Sequence, residues 1–481
     1  MLPRAARWRI LAIASGLLLL VLYLYGLDRM GMYDPDEPRY ASIGREMARS
    51  GDLVTPRLWG KPWFEKPALI YWLVAAGFRA GLSEDLAPRV PVALFSVAFL
   101  IGFYWLLRRE FSPTAAAYST VILATSVGWL ALSQAAVTDA PMAALFSIAV
   151  LCTLPWLRTG ERRWLNYAAI ALGGAVLAKS ALPLVFALPT LWFGRDRLRD
   201  LFRPIPVLLF LAVVLPWYAA CYLINGSEFI RTLFWAQQVE RLVSPALMHV
   251  QPFWFYVPIL PAGLFPWFPA IALLVRRDRY ADRRLRYLIA TVAWGFVFLS
   301  ASTNKLPGYL LGLIPPLAVV LGIAVERAKT AGRVVIALSA LACAAFPLLV
   351  MKLPAWLTGD RTLSAPLPIL LSAFILFIVA LATISRNRAI ALASVAILAT
   401  YGYLWIKTVD LPLVDPYRAR PLWRQIASRA DQACAEDLPR NIRYGLNYYS
   451  VTPLPDCRTA PDRPIHLVYR DHRAVIETHP R

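Results

Sequence analysis

The sequence predicts an all-α polytopic membrane protein with about thirteen transmembrane helices and a small C-terminal α/β domain. The mean hydropathy of the 481 residues is +0.54 and 16% of them are charged. A soluble domain carries about a quarter charged residues. The apolar residues lie in long blocks, many of about 18 to 21 residues, which is enough to cross hydrocarbon as a helix.

Thirteen apolar blocks are candidate spans. The first follows Arg4, Arg7 and Arg9, and we interpret it as an uncleaved span because no small-x-small cleavage site follows it. The fifth and sixth blocks are short and share a break at residues 179–183. The blocks lie at about 10–27, 88–107, 114–134, 140–157, 164–178, 180–194, 204–224, 253–275, 285–301, 308–326, 333–351, 365–384 and 388–407.

Alternate short loops are rich in arginine, and the loops between them are poor in cations. Because cytoplasmic loops carry the excess of positive charge, the N-terminus is predicted to be cytoplasmic and the C-terminus external. The net charge of +21 is then a topology signal. No nucleic-acid partner is expected, since the chain has no aromatic-basic nucleic-acid motif.

This topology divides the chain into a transmembrane domain over 1–407, with a first external loop at 28–87, and a small external domain over 408–481. Within the loop, the sequence predicts two amphipathic helices, at residues 38–50 and 67–81. Both are expected to lie at the membrane interface. Two runs in the tail are strand-like, at 443–449 and 465–469.

Two of the five cysteines, Cys434 and Cys457, lie in the polar tail. An external tail would allow them to form a disulfide, because that compartment is oxidising. Two unrelated free thiols are the alternative, since spacing alone does not establish geometry. The other cysteines lie in apolar runs and are typical of packing residues.

The first external loop opens with three carboxylates within four residues, Asp34, Asp36 and Glu37, between two prolines. Carboxylates beside a bilayer are costly to desolvate, so such a cluster indicates a functional site. Asp36 could also cap the helix that follows. Asp34 could serve only the turn, and Glu37 could only complement the positive end of that helix.

Further polar residues converge on the predicted external side. A transporter would place ionisable groups near the bilayer midplane. Carboxylates beside cations at the rim suit another reaction, in which a carboxylate takes a hydroxyl proton and the cations stabilise a departing phosphate. The further candidates are Glu65, Lys66, Asp139, Arg241, His249, Lys305 and Tyr309.

These residues lie in blocks that resemble the GT-C class of polyprenol-phosphate-dependent membrane glycosyltransferases, in the branch of aminoarabinose transferases and protein O-mannosyltransferases. The similarity covers about the first 320 residues. Its most specific part is in the first loop. The blocks are Asp34-Pro35-Asp36-Glu37-Pro38-Arg39-Tyr40-Ala41, Arg45-Glu46-Met47, Ser50-Gly51-Asp52, Thr55-Pro56-Arg57, Trp63-Phe64-Glu65-Lys66-Pro67, Thr138-Asp139-Ala140-Pro141, His249 with Pro252-Phe253-Trp254, Pro266-Trp267, and Lys305-Leu306-Pro307 with Tyr309.

The resemblance implies that Asp36 is the general base and that Lys66, beside Glu65, contacts the lipid phosphate. It implies that Asp139 lines the cavity and that Arg241 and Tyr309 lie around the phosphate. The implied donor is an undecaprenyl-phosphate sugar in the bacterial inner membrane, and the implied reaction is a single inverting displacement at the periplasmic face. The acceptor would be an envelope hydroxyl or phosphate, and the reaction would require no nucleotide and no cofactor.

Two departures from the family pattern limit what is transferred. The aminoarabinose branch carries a histidine shortly before an arginine, where this chain has Gln237-Gln238-Val239-Glu240-Arg241. The chain also reads Lys179-Ser180-Ala181 where the family often has Lys-Gly-Pro. A divalent metal, lipid A as acceptor and the aminoarabinose activity are therefore not carried over.

Several candidates have a purely structural alternative. Lys66 and Lys305 could anchor the chain at the interface, Asp139 could cap a helix, and Arg241 and His249 could be ordinary loop residues. Two other functions remain open, an O-antigen polymerase or ligase and a lipid-linked sugar flippase. The flippase predicts translocation without a new glycosidic bond.

Overall fold

The computed structural model describes residues 16–235 in full, the backbone of 236–240, and then 250–275, 281–366, 375, 378–381 and 383–478. Six helices in this part are long and apolar enough to cross a membrane. They are Val90–Glu110, Asp139–Thr159, Pro204–Asn225, Arg283–Ala301, Pro307–Arg327 and Arg388–Tyr417.

Two bent pairs of helices raise that number to eight if each pair is one span. Phe253–Gly263 and Phe268–Val275 meet at 112°, and Lys329–Ala344 and Phe346–Thr358 meet at 51°. Proline and short breaks account for bends of this kind, because they interrupt the backbone hydrogen bonds. Shorter apolar helices occupy Leu69–Arg79, Pro113–Ala124, Arg163–Lys179 and the broken stretch Leu182–Phe193.

The polytopic helical fold is thus confirmed, whereas the number of thirteen stays a prediction. The predicted spans at 10–27 and 365–384 fall partly outside the described residues. The predicted spans at 114–134 and 180–194 are each broken into two short helices.

The centre of the bundle is formed by Asp139–Thr159 and Pro307–Arg327, whose most apolar windows are each 89% buried. Pro204–Asn225 is only 11% buried over the same length. Since that helix is the most hydropathic of the six, its exposed apolar side chains fit a lipid-facing position. Large aromatic side chains such as Trp129, Phe146 and Trp156 fill the core.

The first loop contains the helix Asp36–Ser50, here called the loop helix, followed by a hairpin of β1 (Arg57–Leu58) and β2 (Lys61–Pro62) and then Leu69–Arg79. Both helices were predicted, but the hairpin was not. Ten of the fifteen residues of the loop helix are buried. The loop helix is therefore largely covered by protein, and its position at the membrane interface stays a prediction.

The tail forms a small domain with a three-stranded sheet. Strand β3 (Ala433–Ala435) pairs in parallel with β4 (Ile465–Arg470), which pairs antiparallel with β5 (Arg473–Thr478). A disulfide joins Cys434 and Cys457.

The predicted strand at 443–449 is wrong, because these residues belong to the helix Arg440–Tyr449, here called the tail helix. Its buried residues Ile442, Leu446 and Tyr449 recur at helical spacing and pack on Leu467 of the sheet.

The tail domain docks directly on the first loop. The Tyr449 hydroxyl donates to Asp85 at 2.8 Å, and Arg420 forms an ion pair with the same carboxylate at 2.9 Å. Arg45 of the loop helix donates to the backbone oxygen of Tyr448 at 2.6 Å. These groups are buried, so their hydrogen bonds and ion pair hold the tail domain against the first loop.

Candidate functional site

The loop helix begins at Asp36, so two of the three clustered carboxylates lie in its first turn. Pro35 occupies the N-cap position and no side chain caps the helix, which excludes the structural alternative in which Asp36 is the cap. The Asp36 carboxylate accepts a hydrogen bond from Arg39 and lies 3.4 Å from the Tyr40 hydroxyl. Its side chain is 31% exposed, so a second molecule can reach it.

Arg39 joins the two parts of the first-loop motif. Its Nη2 binds Asp36, its Nη1 donates to Glu65 Oε2 at 2.7 Å, and its Nε donates to the Pro35 carbonyl at 3.1 Å. Burial lowers the pKa of this guanidinium, but the nearby Glu65 and Asp36 carboxylates raise the pKa by more. The pKa is therefore higher than that of a free arginine, and the side chain stays charged. Arg39 therefore fixes the positions of two carboxylates at once.

Lys66 completes this arrangement. Its Nζ lies 3.5 Å from Glu65 Oε1, and the other Glu65 oxygen accepts a bond from the Trp63 indole at 3.2 Å. One linked set of charges, here called the charge chain, is formed by Asp36, Arg39, Glu65 and Lys66. It brings together the two residues to which the resemblance gives the base and phosphate roles.

Glu37 has a different environment. Arg89 donates to both of its oxygens at 2.7 Å. The backbone nitrogens of Tyr33 and Ala136 add bonds of 2.8 and 3.3 Å. The side chain is 2% exposed and its acceptor positions are occupied. This geometry does not support a catalytic Glu37, because no substrate can reach it.

Asp34 precedes the helix with a backbone φ of 61° and is exposed at the surface. Partial desolvation and the nearby Asp36 carboxylate raise the pKa of Asp34 to about 6. Aspartate tolerates this left-handed conformation better than most residues. Asp34 thus fits the role of a turn residue whose carboxyl group, when ionised, adds negative charge beside Asp36.

A second cluster is built from the ends of two bundle helices. Asp139 starts one helix and Lys179 ends another, and they form an ion pair of 2.6 Å. The Lys179 ammonium lies 4.4 Å from the centre of the Tyr309 ring. Leu177 of the same helix packs with Phe64, which is two residues before Lys66. Both clusters therefore lie at the same end of the bundle.

Lys305 is directed into the protein. Its Nζ donates to the backbone oxygens of Gln251, at 2.9 Å, and Ser302, and the residue is 4% exposed. This geometry favours a structural role over the predicted phosphate contact. Arg241 and His249 lie outside the described residues.

Within the described residues, the only group of three or more potential metal ligands is Cys434, Cys457 and His466. The two cysteines form the disulfide, so their sulfurs are not thiolate ligands. No metal site is therefore assigned at the charge chain.

Sequence reasoning gave no role to Arg39 or Arg89, and it placed Lys179 on the external side without identifying its partner. The first could have been found, because residues three apart meet on a helix surface and Asp36 with Arg39 has that spacing. The partners of Arg89 and Lys179 are distant in sequence, at Glu37 and Asp139. No local pattern indicates such pairs.

The chain is similar to known proteins in both sequence and fold. A family described as dolichyl-phosphate-mannose-protein mannosyltransferase matches residues 8–225. The undecaprenyl phosphate-alpha-4-amino-4-deoxy-L-arabinose arabinosyl transferase of Edwardsiella ictaluri is 30% identical over 342 residues, 68% of this chain and 60% of that protein. A second such transferase, from Pseudomonas fluorescens, is 32% identical over 335 residues, covering 66% and 56%. The matches thus span about 60% of the length of these relatives.

The fold is similar to that of solved structures. The crystal structure of ArnT from Cupriavidus metallidurans bound to undecaprenyl phosphate superimposes with a TM-score of 0.78 at 23% identity, over 98% of both chains. The arabinosyltransferase EmbB from Mycobacterium smegmatis gives 0.51 at 12% identity, over 89% of this chain and 43% of that one. The chain belongs to the GT-C class of membrane glycosyltransferases, in the family of the aminoarabinose transferases and protein O-mannosyltransferases.

Proposed function

We propose that the protein moves a sugar from undecaprenyl phosphate, or a similar polyprenyl phosphate, to a hydroxyl or phosphate acceptor at the membrane surface. The observation that carries this proposal is the charge chain, in which a partly exposed Asp36 is linked through Arg39 and Glu65 to the Lys66 ammonium. The charge chain thus supplies a base and a cation, the two groups that this reaction needs.

In the proposed reaction the acceptor oxygen attacks the anomeric carbon as the bond from that carbon to the phosphate oxygen breaks. Asp36 takes the acceptor proton, and the polyprenyl phosphate leaves as an anion. Lys66 stabilises the charge that develops on the departing phosphate. Attack from the face opposite the leaving group inverts the anomeric configuration, and no covalent enzyme intermediate forms.

The second cluster is proposed to line the same cavity. Asp139 and Lys179 neutralise each other across 2.6 Å, and Tyr309 covers the ammonium. Such a fixed dipole can orient a sugar hydroxyl without adding net charge. Arg241 is proposed as a further phosphate ligand on the resemblance alone.

The proposed location is the periplasmic face of the bacterial inner membrane, with the N-terminus in the cytoplasm and the tail domain outside. One helix supports this sidedness. Arg89, just before Val90–Glu110, pairs with Glu37, whereas Glu110 at the other end pairs with Arg158 and Arg284, two helix-end residues beside the arginine-rich loops. A helix of 21 residues is about 30 Å long, so the charge chain and the basic loops lie on opposite sides.

The donor sugar and the acceptor are proposed only by class. The relatives are named for transfer of 4-amino-4-deoxy-L-arabinose from undecaprenyl phosphate. This chain has Gln237 and Gln238 where that branch has a histidine. We therefore propose a polyprenyl-phosphate sugar as the donor and do not assign the sugar itself.

Reconstitution tests the proposal. The purified full chain is placed in liposomes with radiolabelled polyprenyl-phosphate sugars, including the aminoarabinose form, and extracted envelope acceptors. We expect label in the acceptor fraction and release of polyprenyl phosphate. The matched controls are Asp36→Asn, which should be inactive, and Asp28→Asn, an exposed carboxylate of the same loop, which should be active. Movement of labelled donor between leaflets without a new glycosidic bond would overturn the proposal in favour of a flippase.

A further inference from the structure

The tail helix brings one aromatic side chain to the charge chain. The Arg39 guanidinium carbon lies 5.3 Å from the centre of the Tyr444 ring. The tyrosine also stacks on Trp59, with ring centres 5.7 Å apart and planes inclined by 21°, and the Arg440 guanidinium carbon lies 5.4 Å from the centre of the same ring. A cation over an aromatic ring at this distance is attracted by the charge distribution of the ring. Tyr444 is thus a bridge between the tail domain and the first-loop motif.

Trp59 is held in an unusual conformation to make this contact. Trp59 and Gly60 form the two-residue turn between β1 and β2, with φ of 54° and 80°. Turns of this type need positive φ at both positions, which glycine adopts freely. A bulky residue there is strained, and such strain persists only where the surroundings impose it. The stack on Tyr444 is one such constraint.

Arg39 has little freedom left once Tyr444 is in place. Its nitrogens are bound to Asp36, Glu65 and the Pro35 carbonyl. Its guanidinium also lies 6.0 Å from the Trp63 ring, and the residue is 4% exposed. Rotation of the guanidinium would break the bond to Asp36, and it would also disturb the contact with the Tyr444 ring.

We propose that Tyr444 is a positioning residue that acts through Arg39 to hold the Asp36 carboxylate in its reactive orientation. This inference rests on the proposed glycosyl transfer and extends it, because it makes the tail domain part of the catalytic apparatus. Tyr444 itself contacts no reacting atom. Its effect should appear in turnover and not in donor affinity, because Arg39 contacts Asp36 directly and reaches Lys66 only through Glu65.

The competing explanation is that Tyr444 only fastens the tail domain. The domain has independent attachments, namely Arg420 and Tyr449 to Asp85 and Arg45 to Tyr448. Removing the Tyr444 ring should therefore leave the domain docked, and the two roles can be separated.

The test is a series at one position in the full-length protein, Tyr444→Phe, Tyr444→Leu and Tyr444→Ala, with kcat per folded enzyme, donor KM and Tm measured for each. Phenylalanine keeps the ring and should retain near-normal kcat. Leucine keeps apolar volume but no ring, so it should lower kcat about tenfold, as should alanine, with donor KM unchanged. Tyr469→Ala is the control, since this tail tyrosine is 40% exposed and should have no effect.

Wild-type kcat in Tyr444→Leu would overturn the inference, because packing alone would then suffice. A fall in activity that only follows the loss of folded protein would overturn it as well. If Tyr444→Ala fails to fold, the comparison of leucine with phenylalanine still decides. No transfer by the wild type would instead contradict the proposed function, so the two failures are distinct.

Discussion

Asp36 and Glu37 are adjacent carboxylates in the first turn of one helix, yet their surroundings differ completely. Asp36 is 31% exposed and shares Arg39 with Glu65. Glu37 is 2% exposed and receives bonds from Arg89, Tyr33 and Ala136. The role of a carboxylate here is decided by whether any acceptor position remains open to a substrate. The residue type and the helix position do not decide it.

The largest effect is expected from Asp36→Asn. The amide cannot take a proton, so kcat should fall by about 10²- to 10⁴-fold, the usual contribution of a general base. Donor KM and Tm should change little, because the amide can still accept a bond from Arg39. Steady-state transfer assays and thermal unfolding measure the two quantities.

The matched change at the neighbouring position, Glu37→Gln, should lower stability and leave turnover unchanged, the reverse of Asp36→Asn. It leaves Arg89, a guanidinium that is 6% exposed, without its charged partner. Breaking a buried ion pair in this way costs about 3 to 5 kcal/mol. We expect a lower Tm and a lower yield, with kcat per folded enzyme preserved. A stable but inactive Glu37→Gln protein would mean that the contrast between the two carboxylates is wrong.

Lys66→Ala should raise donor KM about tenfold or more, because a hydrogen bond to a charged group contributes about 1.5 to 3 kcal/mol. Its effect on kcat should be smaller than that of Asp36→Asn. The control is Lys61→Ala in the neighbouring hairpin, an exposed lysine outside the charge chain. Equal donor KM values for the two variants would remove Lys66 from the phosphate site.

The smallest effect is expected from Asp34→Asn and depends on pH. The pKa of Asp34 is raised from 3.8 to about 6 in the folded protein, by desolvation and by Asp36. Between these values the folded state binds more protons than the unfolded state, so the Asp34 contribution to stability falls as pH rises. Asp34→Asn should therefore have the higher Tm at pH 7, and the difference should shrink as pH falls from about 6 to about 4. A difference in Tm that does not vary with pH would exclude titration of Asp34 as its cause.

The sequence predicted the features that depend on local pattern. Hydropathy located the long spans, and the apolar spacing of the first loop located its two helices. The linkage of Asp36 to Arg39 follows from helical spacing, although sequence reasoning did not use it. The tail helix was mistaken for a strand because its tyrosines favour strands when considered alone.

The features that could not be predicted depend on contacts between distant parts of the chain. Glu37 is bonded to Arg89 and Ala136, and Lys305 to the backbone of Gln251, all distant in sequence. Tyr444 meets Arg39 only because the tail domain docks on the first loop. Local spacing carries no information on such contacts, and only the fold supplies them.

The most direct test of the account is a structure of this protein with undecaprenyl phosphate bound, determined by electron cryo-microscopy. The account predicts phosphate oxygens within about 4 Å of Lys66 Nζ, the range of an ion pair, with the open side of Asp36 facing the same cleft. A phosphate bound beside the basic loops at the opposite end of the bundle, or a cleft that excludes Asp36, would contradict it.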